Sequence, residues 1–160
     1  MGIKIKLSAG NKLSTGILTL VLMGNYSQTG HFGGPLAYTP YTVASHLVGP
    51  ELGGLKYDYR RPKHPFSDKF MLAGGHNAPV TYALWMVLGE ALFRMHESTG
   101  LEKYFADPKT SLLSVDCLGF RRGKDGLSSI LKDNGLENHP LLAQAKIRGI
   151  RALAGHSEST

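Results

Sequence analysis

The sequence predicts an α/β domain built mainly from helices, with a few short parallel strands. Residues 79–96 repeat apolar side chains at the i, i+4, i+7 and i+8 spacing of a buried helix face. Residues 68–73 form a short apolar segment that enters this helix through the glycine turn 74–77. Residues 111–118 have the length and composition of a second buried strand. Because a strand that feeds a helix through a glycine turn is the first half of a βαβ unit, the pattern favours a parallel sheet.

The N-terminal elements precede this unit. Residues 13–23 fit either a helix or a buried strand, since their apolar period decides for neither, and 24–34 is predicted to be a loop. Thr39 is a predicted N-cap followed by proline at the first helical position, which favours a helix over 40–48. Residues 53–67 are rich in Gly, Pro, Arg and Tyr, and they predict a long irregular connection.

The C-terminal elements are shorter. We predict a short helix that ends near Phe105, a loop over 119–126, a helical turn over 127–132 and a last helix over 139–154. One or two strands and about four helices are few for a complete α/β domain. We therefore expect residues 1–160 to be a single, partial domain, with the rest of the enzyme outside this chain.

The composition fits a globular domain without a membrane span. The chain has 160 residues, of which 42% are hydrophobic, enough for one core. No apolar run approaches the ~18 residues that cross a bilayer, and the first residues lack a signal-peptide pattern. Cys117 is the single cysteine, which excludes an internal disulfide and fits a reducing cytoplasm. We expect a cytoplasmic protein with no membrane partner, in which Cys117 packs as a small hydrophobic residue.

The basic balance allows three interpretations. The formal net charge is +6, and lysine and arginine cluster at 60–63 and 121–124. Such clusters bind nucleic acid, attract phosphorylated small molecules, or are solvated loops. No aromatic residues are interleaved with them as in a single-strand binder. Solvated loops are the favoured interpretation and a phosphorylated ligand comes second, so no nucleic-acid partner is expected.

Three histidines each follow a glycine in the segments with the strongest turn signals, namely His31, His76 and His156. Glycine permits a close backbone approach, and imidazole offers a donor, an acceptor and a proton near neutral pH. The repeated pair predicts imidazoles that face a bound molecule from loops. Their neighbours include no second ligand at helical or hairpin spacing and no cysteine pair, so no metal site is predicted in this chain.

His76 stands in the turn between the predicted strand and the long helix. Ligands bind at this edge of an open α/β sheet, and the helix start favours an anion, especially phosphate. His76, directly after Gly75, can donate a hydrogen bond to such an anion, or it can simply cap the helix. The segment GGHN at 74–77 has the spacing of neither a Walker loop nor a dinucleotide fingerprint.

Three motifs resemble those of the transketolase family, which depends on thiamine diphosphate. GHFGGP at 30–35 resembles the family's early Gly-His-Pro-Gly-Ala-Pro motif, and DKFMLAGGH at 68–76 resembles its Asp-Arg-Phe-Val-Leu-Ser-x-Gly-His motif. GHSE at 155–158 resembles its Gly-His-Pro-Glu motif, and Tyr82 stands where the family also has tyrosine. The resemblance covers most of the chain from about residue 13. It implies the N-terminal portion of a pyrophosphate-binding domain, and thus an incomplete thiamine-diphosphate-binding fold.

The resemblance implies a role for each matched residue. Gly75 and His76 would bind the diphosphate of the cofactor. His31 would lie beside the thiazolium ring and the substrate, where the family uses a histidine in proton transfer, so it is assigned both a catalytic and a cofactor-binding role. His156 would face the reacting part of the sugar, and it is assigned the same two roles.

The implied activity is the transfer of a two-carbon ketol unit from a ketose phosphate to an aldose phosphate, in the pentose phosphate pathway. Thiamine diphosphate and Mg²⁺ or Ca²⁺ are the implied cofactors. The implied partners are phosphorylated sugars and either a second copy or a chain that carries the remaining domains. The family's metal motif, Gly-Asp-Gly followed by an asparagine, comes after the third histidine motif, and nothing in 1–160 matches it. We therefore expect the metal ligands outside this chain, and the chain alone to be inactive.

Departures from the family pattern leave alternatives open. Phe32 replaces the family's proline, and the stretch 100–155 does not follow the common transketolase spacing. RGKDGLS at 122–128 resembles deoxyxylulose phosphate synthase, and NAPVTYA at 77–83 resembles the homodimeric decarboxylating component of pyruvate dehydrogenase. A related thiamine enzyme is thus the second interpretation, and a non-catalytic fragment or interaction module is the third.

Overall fold

Three α-helices form the framework of the part of the chain that the structure describes. The computed structural model describes residues 9–28, 30–61, 64–107, 111–120 and 135. The helices are α1 (Ala9–Ser27), α2 (Gly33–Leu47) and α3 (Ala78–Thr99). The described ranges also contain short 3₁₀ helices at Pro50–Leu52, Gly75–Asn77, Glu102–Tyr104 and Ser114–Gly119. Within these ranges no helix is long and apolar enough to span a membrane.

The predicted helical character is confirmed, but the two predicted strands are wrong. The described part of the chain contains no β-strand: 68–73 is irregular, and 111–118 is extended only at its start and then turns into 3₁₀ helix. A short apolar segment becomes a strand only when a neighbouring strand pairs its backbone N–H and C=O groups. No such neighbour is present in these ranges, so other groups take these hydrogen bonds.

Side chains and one loop carbonyl replace the missing strand partners. The Asp68 N–H donates to the Lys56 carbonyl at 3.0 Å, and the Asp68 carboxylate accepts the Lys56 N–H at 2.8 Å. The Leu113 N–H donates to the carboxylate of Asp116 at 2.8 Å, which caps the 3₁₀ helix that follows. Both segments are therefore held in place without a sheet.

Helix α2 begins earlier than predicted. Its start is Gly33, and the predicted N-cap Thr39 is a buried residue inside the helix, where its hydroxyl donates to the Pro35 carbonyl at 2.8 Å. Pro35 lies in the first turn, where a missing N–H has no consequence, so the helix can start before it. Pro40 lies inside the helix on the exposed side, and its missing N–H leaves the Leu36 carbonyl without a helical donor.

Residues 13–23, which fitted either a helix or a strand, belong to helix α1. Thr19, Leu20 and Met23 are buried along one helical face, which packs on α2 and α3. The predicted loop over 24–34 shrinks to the residues between α1 and α2. The elements predicted beyond residue 120 lie outside the described residues.

Helix α3 is confirmed and central. It contacts α1, α2 and several of the 3₁₀ helices. Pro79 lies in its first turn, and it ends at Gly100, whose left-handed backbone (φ 64°) lets its N–H donate to the His96 carbonyl at 2.8 Å. The buried core around it consists of Leu20, Met23, Ala83, Met86, Leu112, Cys117 and Phe120. This core joins the first helix of the chain to residues about one hundred positions later.

The backbone at Leu112 lies directly against α3 at Gly89. A Cβ atom at Gly89 would overlap the Leu112 carbonyl oxygen and would lie 2.7 Å from the Tyr59 hydroxyl. The same hydroxyl accepts the Leu112 N–H at 2.9 Å and donates to the Leu112 carbonyl at 3.3 Å. Glycine in the middle of α3 therefore permits an approach that any side chain would block.

The irregular connection predicted over 53–67 is confirmed in the part that the structure describes. Arg60 pairs with Asp58 at 2.8 Å and also donates to the Lys103 carbonyl at 2.7 Å. Burial alone would raise the pKa of Asp58, but the hydrogen bonds and charge of Arg60 outweigh it and hold that pKa below its ordinary value. Arg60 thus ties the connection to the segment that follows α3.

His46 is buried near the end of α2 among aromatic rings. Its ring meets Tyr57 and Phe70 edge to face, with centroids 5.5 and 4.8 Å apart. Its Nδ1 lies 2.9 Å from the Thr42 carbonyl, so this nitrogen carries the proton and donates it. Burial lowers the pKa of His46, and the hydrogen bond to Thr42 offsets only part of that shift. His46 is therefore neutral in the folded protein at neutral pH.

The outward faces of α1 and α2 are apolar. No Asp, Glu, Lys or Arg occurs between residues 13 and 50. Leu18 and Val21 on α1 are 58% and 53% exposed, and Tyr41 on α2 is 64% exposed. Solvent-facing helices normally carry charged residues on that side. A surface of this kind is typical of contacts with another chain or domain.

Replacing Gly89 by alanine is expected to lower the free energy of unfolding by about 1–3 kcal/mol, as overpacking typically does. The new methyl group would push the Leu112 backbone away from α3. Urea denaturation measures the change. Gly16→Ala is the matched control, because a Cβ atom there meets only Thr39 at an ordinary 3.7 Å and alanine favours the helix. Equal stability of the two variants would contradict the close contact.

Acidification is expected to destabilise the protein through His46. Because the pKa of His46 is lower in the folded chain than its ordinary value of 6.5, the unfolded chain binds more protons near and below that pH. Stability that is present above pH 6.5 is therefore lost as the pH falls. His46→Phe, which keeps a ring, should lose less stability than the wild type between about pH 7.5 and 5. Urea midpoints at each pH measure this; equal losses would exclude His46 as the cause.

Candidate anion-binding site

Two of the glycine–histidine segments meet where α2 and α3 begin. Gly34, in the first turn of α2, lies against the turn that leads into α3. A Cβ atom at Gly34 would overlap the side-chain oxygen of Asn77 and would lie 3.8 Å from Cδ2 of His76. The GHFGGP segment and the GGHN turn, far apart in sequence, are thus adjacent in the fold.

Both helix starts lack side-chain caps. Phe32 at the N-cap of α2 and Asn77 at the N-cap of α3 make no capping hydrogen bond, and neither first turn contains an acidic residue. The first N–H groups of α2 have no acceptor within the helix, whereas at α3 the Ala78 N–H donates to the Gly75 carbonyl and Pro79 has no N–H. The aligned peptide dipoles place about half a positive charge at each helix start. Two such ends side by side favour a bound anion.

His31 and His76 both have exposed side chains in these segments. His31 lies in the loop that leads into α2, and His76 and Gly75 lie in the 3₁₀ turn that leads into α3. An exposed imidazole at a helix start can donate a hydrogen bond to an anion held there. Three of the four predicted site residues therefore belong to the two segments that meet. His156 lies outside the described residues.

Phe32, which departs from the resembled motif, anchors this region to the core. Its ring meets Phe120 edge to face with centroids 5.9 Å apart, and Cε2 of Phe32 would lie 2.9 Å from a Cβ atom at Gly24. The side chain directly after His31 therefore packs inward and fixes the loop. Sequence reasoning missed this role, although an aromatic residue inside a glycine-rich loop was the available signal.

Asn77 is a second residue that sequence reasoning missed. It is 7% exposed, and among the described residues no donor pairs with its side-chain oxygen. Its N–H donates to the Gly74 carbonyl at 2.8 Å, which closes the turn. The two glycines at 74 and 75 were the available signal, because they leave space in the turn for the side chain of Asn77.

The other candidate features do not join this site. Arg60 of the first basic cluster is engaged by Asp58 and Lys103, and Arg61 is exposed, which fits the solvated-loop interpretation. The second cluster, 121–124, lies outside the described residues. In the ranges that the structure describes, no group of three His, Cys, Asp or Glu side chains could hold a metal ion.

Cys117 is confirmed as a packed core residue. It is 7% exposed and belongs to the buried cluster that surrounds α3. Burial, with a smaller contribution from the charge of Asp116, raises the pKa of the Cys117 thiol to about 11. The thiolate form that acts as a nucleophile is therefore scarce at neutral pH.

Comparison with known proteins gives a short match to the transketolase family. Over 36 residues the chain is 44% identical to Transketolase-like protein 2 of Homo sapiens. The matched residues cover 22% of this chain and 6% of that protein. The Mus musculus protein of the same name is 43% identical over 35 residues, with the same coverage. No family model and no solved structure matches the chain. The match suggests a transketolase relationship, and it spans only a small part of these relatives.

Native protein is expected to react slowly with a thiol reagent at neutral pH, because Cys117 is buried and protonated. Absorbance with an aromatic disulfide reagent should show full reaction of one thiol per chain only after urea is added. Rapid labelling of the native protein would contradict the packed position of this cysteine.

Proposed function

We propose that this chain is part of a thiamine-diphosphate-dependent, transketolase-like transferase that moves a two-carbon ketol unit from a ketose phosphate to an aldose phosphate. The observation that carries the proposal is the meeting of two uncapped helix starts in the segments that hold His31 and His76. The short similarity to transketolase-like proteins supports the same family.

The residues at this place fit the diphosphate end of the cofactor. A diphosphate needs hydrogen-bond donors and positive potential. The start of α2 has no side-chain cap over its first N–H groups, and neither helix has an acidic side chain in its first turn. His76 is exposed beside the two helix starts and can add a charge-assisted hydrogen bond.

Each matched residue has a task in the proposed reaction. Bound thiamine diphosphate supplies the nucleophilic carbon that takes up the two-carbon unit. His76 binds a diphosphate oxygen through its ring N–H. His31 holds and moves a proton beside the reactive ring, because an imidazole has both a donor and an acceptor nitrogen. His156 orients the reacting part of the sugar, and Mg²⁺ or Ca²⁺ is held by ligands outside this chain.

The apolar outward faces of α1 and α2 support an assembly with another chain, and on this proposal the assembly is cytoplasmic. Leu18, Val21 and Tyr41 remain exposed in the described chain, so a homodimer or a chain with the remaining domains would cover them. The absence of formal charge between residues 13 and 50 agrees with such an interface. On this proposal the chain alone is inactive, because it lacks the metal ligands and the rest of the site.

A related thiamine enzyme is the second candidate. It is favoured by the NAPVTYA segment over 77–83, which contains Asn77 and resembles the decarboxylating component of pyruvate dehydrogenase. The two candidates differ in the donor substrate. Turnover of a ketose phosphate by the assembled enzyme supports the transferase, whereas decarboxylation of pyruvate supports the relative.

Titration with thiamine diphosphate and MgCl₂ tests the proposal. Calorimetry should detect binding to the wild-type chain assembled with the chain or domains that complete the site, and His76→Ala should weaken it by roughly 10- to 150-fold, the equivalent of a lost hydrogen bond to a charged group of about 1.5–3 kcal/mol. His64→Ala is the control, because His64 is exposed and lies outside the two segments. Equal affinity of wild type and His76→Ala, or no binding by the wild type, would overturn the assignment.

A further inference from the structure

We infer that Asn77 is a positioning residue that fixes the GHFGGP segment against the GGHN turn and so sets the separation of His31 and His76. What the two histidines bind rests on the proposed function. The contact that holds the two segments together does not, because it is made by groups of this chain alone.

The backbone of Asn77 is fixed by its place between two helices. It is the last residue of the 3₁₀ helix Gly75–Asn77 and the N-cap of α3. Its N–H donates to the Gly74 carbonyl at 2.8 Å. Its side chain therefore extends from a backbone position that is held at the N-terminal end of the buried helix α3.

The carboxamide of Asn77 lies between two glycines. A Cβ atom at Gly34 would overlap the amide oxygen, and a Cβ atom at Gly74 would lie 3.1 Å from the amide nitrogen. Both neighbours must therefore present bare backbone to this side chain. The amide is in contact with the start of α2 on one side and with its own turn on the other.

Stability alone does not explain an asparagine at this position. The side chain is 7% exposed, and among the described residues no donor pairs with its oxygen. A buried acceptor without a donor costs free energy that an apolar side chain of similar size would not. A residue that keeps such an arrangement beside two exposed histidines is better explained by its shape and contact than by its hydrogen bonds.

The contact couples the two histidines. His31 lies three positions before Gly34, in the loop that leads into α2, and His76 is the residue before Asn77. If the amide is removed, Gly34 loses the group that stops α2 from sliding toward the turn. The loop with His31 would then shift relative to His76, and a diphosphate that needs both segments would bind less well.

A double-mutant cycle tests the contact. Gly34→Ala should lower the urea midpoint, because its methyl group overlaps the Asn77 oxygen. The double variant Gly34→Ala/Asn77→Ala should recover most of that loss, because the overlapping oxygen is gone. Asn25→Ala is the control, since Asn25 is an exposed asparagine on α1. A double variant no more stable than Gly34→Ala would overturn the contact.

Two further readouts separate positioning from stability. In Asn77→Ala the urea midpoint should stay near that of the wild type, while the NMR signals of the His31 ring move. Thiamine diphosphate binding, measured by calorimetry with MgCl₂, should weaken at least tenfold. If Asn77→Ala fails to fold, Asn77→Ser, which stops short of Gly34, is measured instead. Unchanged His31 signals and unchanged affinity would overturn the positioning role.

The same experiment distinguishes this inference from the proposed function. If the assembled wild-type enzyme does not bind thiamine diphosphate, the proposed function fails, and the urea denaturation of the double-mutant cycle, together with the NMR signals of His31, still decides the role of Asn77. If the wild type binds but Asn77→Ala binds equally well with shifted His31 signals, the separation of the histidines is not what binding needs, and the inference fails alone.

Discussion

The contact between Gly89 and the backbone of Leu112 is the constraint on which the rest of the structure depends. Because α3 has no side chain there, the segment that begins at Ser111 can lie on the helix surface. That approach carries Cys117 and Phe120 into the core beside α1. The Tyr59 hydroxyl satisfies both backbone groups of Leu112, so the same point also holds the long irregular connection.

The core in turn holds the candidate site. Phe120 meets the ring of Phe32, and Phe32 is the residue directly before α2. The start of α2 is therefore held by two contacts, the ring of Phe120 against Phe32 and the side chain of Asn77 against Gly34. A site built at two helix starts needs this kind of support, because a helix dipole acts only over the first turn. The contacts of Phe32 with the core and of Gly34 with Asn77 therefore also restrain the loop that carries His31.

Local pattern was sufficient to predict some features of the fold and the site. The apolar repeat over 79–96 predicted α3, because a long periodic segment outweighs its context. Glycines next to His76 predicted a turn at a helix start for the same local reason. The strands could not be predicted correctly, since whether 68–73 or 111–118 pairs with a strand depends on a neighbour that a linear pattern does not reveal.

The remaining features depend on contacts between distant residues. The predicted start of α2 was wrong because Pro35 and Pro40 could each stand in the first turn of a helix. The packing of Phe32 on Phe120 favours the start before Pro35. The meeting of Gly34 with Asn77 follows from how α2 packs on α3, which no spacing within either segment encodes. Sequence reasoning could therefore name the histidine loops, but it could not assign Asn77 or Phe32.

The core that joins α1 to Phe120 also sets the order in which the chain can mature on the ribosome. Leu20 and Met23 are synthesised about one hundred residues before their core partners Cys117 and Phe120. At about 5–20 residues per second, the contact of α1 with Cys117 and Phe120 forms on the order of 5–20 s after α1 is synthesised, later than its contacts with α2 and α3. During that interval Leu20 and Met23 lack part of their core, and transiently exposed apolar surface of this kind is prone to aggregation.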